Sequence, residues 1–153
     1  MQALDIVTST AEAAFATDWK GNIVAWNKAA ERLLGPTARQ VVGKRCYDSL
    51  RGTDPVGNRF CDAICPLVNM ARRREAVHDF KLNLRNAKSE IVRADVSVVF
   101  VRKPAPSQLA IVHTLKALDP QREIVECRAP APAARERWAL LTRREFEELR
   151  LLE

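Results

Sequence analysis

The chain has 153 residues, 47% of them hydrophobic and 29% charged, the balance of an ordinary globular protein of about one domain. No run approaches the roughly 18 apolar residues a bilayer span requires. Met1-Gln2-Ala3-Leu4-Asp5 lacks the basic and apolar blocks of a signal peptide, so a cytoplasmic protein without a membrane partner is expected.

The net charge of +6 invites a nucleic-acid reading. The bases are scattered, however. Their densest run, Arg72-Arg73-Arg74, adjoins Glu75 with no aromatic residues interleaved, and it reads as a solvated helix face. Cys46, Cys61, Cys65 and Cys127 are too few and too irregular for a secreted disulfide scaffold. In a reducing compartment they are thiols unless they hold a metal or sense redox state.

In chain order, Leu4, Val7, Ala11 and Ala14 recur at helical spacing, which predicts a short amphipathic N-terminal helix. Residues 14–17 predict a strand, and Asp18-Trp19-Lys20-Gly21-Asn22 a turn with positive φ at Gly21 or Asn22. Residues 23–26 predict the returning strand. Asn27 stands where a helix N-cap belongs, followed by a helix over 28–34 that Gly35 and Pro36 close. A short helical patch at 38–41 leads into a polar loop with Gly43, Gly52, Pro55 and Gly57. Pro66 opens the next helix, running to about Arg74.

Three strands follow. His78, Phe80, Leu82 and Leu84 alternate with Asp79, Lys81, Asn83 and Arg85. After a turn at 86–89, Val92, Ala94, Val96, Val98 and Phe100 form a second apolar face. Beyond a break at Pro104 and Pro106, residues 109–118 make a third, more fully apolar strand. Strict alternation means one buried and one wet face, as in an antiparallel sheet. Helices segregated between strand blocks argue for an α+β fold with five strands.

From Pro120 the composition shifts to a spacer containing Pro130, Pro132 and several alanines over 120–140. Thr142-Arg143-Arg144-Glu145 is a capping box, with Leu141 and Phe146 placed as a hydrophobic staple. Phe146, Leu149 and Leu152 line one face of the helix expected there.

Residues 13–119 resemble the PAS family. The resemblance rests on Asp18-x-x-Gly21-x-Ile23, Trp26-Asn27-x-Ala29-Ala30, Leu34-Gly35 and Val42-Gly43-Lys44, followed by three long strands. It implies a five-stranded antiparallel sheet of order 2-1-5-4-3, with short helices on one face cupping a small cavity. It also implies a sensor that forms a homodimer through an N-terminal flanking helix within residues 1–12. The segment 141–152 resembles the opening helix of a LuxR-type helix-turn-helix domain, a C-terminal flanking helix here. The recognition helix that would enter the major groove is missing from the sequence, so DNA contact is expected only through that missing part.

Several residues could carry chemistry. Cys46 follows Gly43-Lys44-Arg45, where flavin-binding light sensors of the resembled family carry a reactive cysteine. Tyr47-Asp48-Ser49-Leu50 departs from their pattern, however, and their flavin-binding Asn and Gln are not apparent. Cys46, Cys61 and Cys65, with Pro66 next, are spaced C-x14-C-x3-C-P. Thiolates in such a cluster could bind a metal or act as a redox pair. Cys65, just before a helix N-terminus, would be the more acidic thiol, with Cys61 resolving it. Buried structural thiols are the plain alternative. His78 and His113 sit on apolar faces, and the expected cavity face is His78, Phe80, Val96, Val98, Ile111 and His113. A histidine there could be an axial haem ligand or a core residue bonded to backbone.

No phosphate-cradling loop, His-Glu metal helix or nucleophile elbow occurs, and no enzyme activity is expected beyond thiol chemistry at Cys61 and Cys65. The sequence names neither a cofactor nor a ligand. The expected function is reception of a small-molecule, redox or cofactor signal that rearranges a dimer or linker. The alternatives are a ligand-free dimerisation module and a cysteine-based redox or metal sensor.

Overall fold

A computed structural model of the chain describes residues 2–102 and 109–119. The expectations for Pro104 and Pro106, the spacer, Cys127 and the helix after Leu141 lie outside the described residues.

Local chemistry accounts for most element boundaries. Helix α1 (Ala3–Ser9) has a capping box between Gln2 and Asp5. It is shorter than the apolar spacing suggested: Val7 is buried, Leu4 is exposed, and Ala14 belongs to the first strand. Strands β1 (Ala13–Asp18) and β2 (Ile23–Trp26) form a hairpin. Its turn is held by the Asp18 carboxylate, which accepts from the Lys20 and Asn22 backbone N–H groups, while Gly21 takes φ +81°.

Asn27 is the joint of this half of the fold. Its side-chain oxygen accepts from the Ala30 N–H at 2.8 Å, capping helix α2 (Lys28–Leu34). The same oxygen accepts from the Ala14 N–H of β1 at 3.0 Å. Its NH2 donates to the carbonyls of Val7 and Glu12, at 3.1 and 2.8 Å. One side chain therefore ties α1, β1 and α2 together.

Gly35 ends α2 at φ +97°, and a Cβ there would stand 2.5 Å from the Ala87 Cβ. Both the backbone and the close approach require glycine. Helix α3 (Ala38–Val41) follows, capped by Thr37 and Gln40.

Residues 46–50 were expected as loop, and they form helix α4 (Cys46–Leu50). The segment is too short to be stable alone. It is seated by backbone bonds to the β1–β2 hairpin, from Cys46 N–H to the Gly21 carbonyl and from Ile23 N–H to the Lys44 carbonyl, and by burial of Leu50. Helix α5 (Pro66–Arg73) starts on proline and buries Leu67 and Ala71.

Strands β3 (Phe80–Arg85), β4 (Ile91–Val101) and β5 (Ala110–Ala117) complete a five-stranded antiparallel sheet of order β2-β1-β5-β4-β3. This matches the expected fold class and strand order. Among the described residues no helix is long and apolar enough to cross a membrane.

The sheet has two differently covered faces. On one, α1 closes over Ala14, Ala16, Ala25 and Val112 by inserting Val7. On the other, α2 to α5 and the connecting loops pack against Phe15, Val96, Leu115 and neighbours. The cavity lies on that second face.

Candidate functional site

A cavity of about 350 Å³ opens between the concave face of the sheet and the segment from α4 to α5. Most of its buried wall is apolar: Phe15 from β1, Leu82 and Leu84 from β3, Val96 from β4, Leu115 from β5 and Leu67 from α5. All six are buried. Their placement follows from pairing register, because directly opposed residues share a face. Ala13, Leu115, Val96 and Phe80 form one cross-strand row, and Trp26, Phe15, His113 and Val98 the next.

Of the six expected cavity residues, Phe80, Val96 and His113 line the cavity. Val98 and Ile111 do not. Both pack under α5 with Leu67 and Ala71, beyond the end of the cavity lining. His78 is exposed and precedes β3, so it is neither a strand nor a cavity residue. The strand begins at Phe80 opposite Val96. Residues 78 and 79 keep the alternation but lie outside the paired register.

His113 and Thr17 are the buried polar residues that the sheet turns to the cavity. His113 is 6% exposed, and its ring lies flat on Phe15 with centroids 4.3 Å apart and planes 4° apart. Nδ1 is buried without a hydrogen-bond partner among the described residues. Burial pushes the imidazole down to about 4, against a weaker upward pull from the Ile111 backbone. The ring is therefore neutral at physiological pH, when it can both donate and accept a hydrogen bond. The backbone-bonded core histidine weighed from sequence fits the hydrogen bond to the Ile111 backbone, while Nδ1 stays without a partner.

Cys46, Cys61 and Cys65 all line the same cavity as free, half-buried thiols. Burial raises Cys46 well above the ordinary thiol value, with the neighbouring Cys61 and Cys65 adding to it. Burial likewise raises Cys61 to about 11, opposed in part by a hydrogen bond from the Gly52 backbone. These two thiols stay protonated, and the thiolate is the species that attacks and ligates. No group of three His, Cys, Asp or Glu among the described residues is arranged to hold a metal ion. Cys127, one of the candidate fourth ligands, lies outside the described residues.

Flavin and haem fit the lining poorly. The sheet contributes Phe80, Leu82, Leu84, Val96, His113 and Leu115 from β3 to β5 with no amide side chain, and Asn69 of α5 is the amide residue in the lining. A tetrapyrrole is larger than the 350 Å³ cavity, and the His113 ring is already stacked on Phe15.

The mouth was not foreseen from sequence. Trp19 and Lys20 from the hairpin turn, Arg45 before α4, and Asp62 and Arg72 flanking the other side all reach the lining. The Lys20 ammonium lies 5.1 Å and the Arg72 guanidinium 5.8 Å from the Trp19 ring. Arg45 Nη1 donates to the Lys20 carbonyl. Loop and turn residues follow no period, so only their tertiary convergence shows them as a set.

With this geometry in place, the comparisons with known proteins are consistent. The Rhodobacter sphaeroides LOV protein superposes with a TM-score of 0.62 at 15% identity, covering 83% of this chain and 70% of that one. The LOV domain of the Erythrobacter litoralis EL346 blue-light activated histidine kinase gives 0.55 at 18% identity, covering 71% and 97%. The PAS domain of the Cronobacter turicensis RpfR quorum-sensing receptor, in complex with C12:0, gives 0.55 at 15%, covering 74% and 99%. At such identities these likenesses concern the fold. No curated relative matches the sequence. The family model for the PAS fold matches residues 5–107, and the chain belongs to the PAS family as a sensory domain.

Proposed function

We propose that this chain receives a small-molecule signal in the cavity and passes it to a DNA-binding regulator through the segment after residue 119. The observation that supports this is the cavity itself. Protein interiors are close-packed, with few voids larger than a water molecule, yet here about 350 Å³ stays unfilled beside an otherwise well-packed sheet. That volume lies in the range of small-ligand pockets. A ligand-free dimerisation module would have no use for it. One structural neighbour, the RpfR PAS domain, is in complex with C12:0, so the same fold elsewhere holds an amphiphile.

The resemblance of residues 141–152 to a LuxR-type opening helix supports the regulator assignment. A ligand can bias that output only if it binds one conformational or dimeric state better than the other. The thiol-sensor alternative is weakened by the protonated state of Cys46 and Cys61.

The test is thermal unfolding of the full chain with small neutral amphiphiles, beside a Val96→Phe variant that projects a ring into the cavity. The reading expects a concentration-dependent rise in Tm for the parent protein and none for the variant. Equal responses of the two proteins would overturn it. Sedimentation with and without a binding probe then checks the output, expected as a shifted monomer–dimer balance.

A further inference from the structure

The cavity has a polarity that indicates what it takes. Apart from Thr17 and His113 its buried walls are apolar, and no charged side chain lies among the buried lining residues. The charges are confined to the exposed mouth, where Lys20, Arg45 and Arg72 stand against a single carboxylate, Asp62. None of these three cations is in an ion pair among the described residues. They form a connected group: Lys20 and Arg72 both approach the Trp19 ring, and Arg45 holds the Lys20 carbonyl.

We propose that the cavity binds a small amphipathic monocarboxylate, with its hydrocarbon body inside and its carboxylate at the Lys20–Arg45–Arg72 rim. This rests on the ligand-binding reading above and specifies the ligand class. An anion is favoured over a neutral or cationic amphiphile because three unpaired cations would repel a positive head and leave a neutral one without a charge partner. The charge stays at the rim because nothing inside would offset its loss of water. The body is limited by volume. At the roughly 30 Å³ that one water takes in the liquid, the cavity accommodates on the order of a dozen non-hydrogen atoms. Inside, the uncharged His113 ring and the protonated thiols add no charge that would oppose a hydrocarbon body.

The probes are decanoate, decanamide and decylamine, which share one chain and carry a negative, a neutral and a positive head. Binding to the full chain is measured by titration calorimetry at neutral pH and low salt, below micelle formation. Decanoate is expected to bind at least tenfold more tightly than decanamide, and decylamine more weakly than either. The variant K20Q/R45Q/R72Q, changed only at exposed positions, is expected to bring decanoate down to the decanamide level. Raising the salt should weaken decanoate alone. Val96→Phe should abolish binding of all three. Equal binding of decanoate and decanamide, or a triple variant without effect, overturns the carboxylate inference while the ligand-binding reading stands. Binding of no probe, or binding that survives Val96→Phe, overturns both.

Discussion

One sheet presents two faces that solve opposite problems. The convex face carries Ala14, Ala16, Ala25 and Val112, small residues that let α1 settle close and bury Val7 completely. The concave face carries Phe15, Phe80, Val96, His113 and Leu115, larger side chains that nonetheless leave a cavity beneath α4 and α5. The contrast lies in what covers each face. A single helix can follow a surface of small side chains closely. Short helices joined by loops span the other face without filling it.

Asn27 belongs to both sides, and breaking it should have the largest effect. Asn27→Ala removes the cap of α2 and the bonds to Ala14, Val7 and Glu12 at once. Cap loss costs about 1 kcal/mol, and each buried backbone group left unpaired costs ~1–3 kcal/mol more. A loss of about 4 kcal/mol is expected in urea unfolding. Asn27→Asp keeps the acceptor and loses the donors, and should fall between. An Asn27→Ala loss below about 1 kcal/mol would mean that α1 is not held to the sheet by this residue.

His113 tests how dry the concave face is. Its native value of about 4 lies below the ordinary 6.5, so between these values the unfolded chain binds more protons than the folded one. Stability is then fully present above about pH 6.5 and is lost as pH falls toward 4, by on the order of 3 kcal/mol. In His113→Asn that part of the acid slope should disappear. An unchanged slope between pH 6.5 and 4 would show that solvent reaches the ring. Glu31 and Asp54 contribute at lower pH, because hydrogen bonds to their carboxylates lower both below their ordinary values.

A matched pair of substitutions compares the faces directly. Val112→Phe forces a ring between β5 and α1, where overpacking costs about 1–3 kcal/mol. Val96→Phe places the same ring into the cavity and should cost less than about 1 kcal/mol. Both valines are fully buried, so burial alone predicts equal damage. Equal losses in chemical unfolding would remove the distinction.

Much of this was legible in the sequence, and the exceptions have a common cause. Alternation along β3 to β5, the Asn27 cap, and the Gly35 and Pro66 boundaries depend on local spacing and conformational preference, which the chain displays openly. His78 shows where that stops being enough. The alternation runs on to residue 78, but β3 pairs with β4 only from Phe80 opposite Val96, although β4 itself continues to Val101. Helix α4 was missed because hydrogen bonds from the distant hairpin seat it. The mouth was missed for the same reason: Trp19 and Arg72 meet only in three dimensions.

The smallest expected effect lies at that mouth, on the rim of the cavity and far from the α1 face. Trp19→Leu removes the ring that faces both Lys20 and Arg72. Exposed cation–π contacts are worth about 0.5–1 kcal/mol each, so stability should fall by about 1 kcal/mol or less. The informative readout is salt dependence. With the ring present, the two cations share one aromatic face, and screening relieves their repulsion while weakening their attraction to it. Without the ring only repulsion is left, so added salt should stabilise Trp19→Leu more than the parent protein. If salt moves both proteins equally, the ring does not hold the two cations together, and the mouth is a set of independent surface charges.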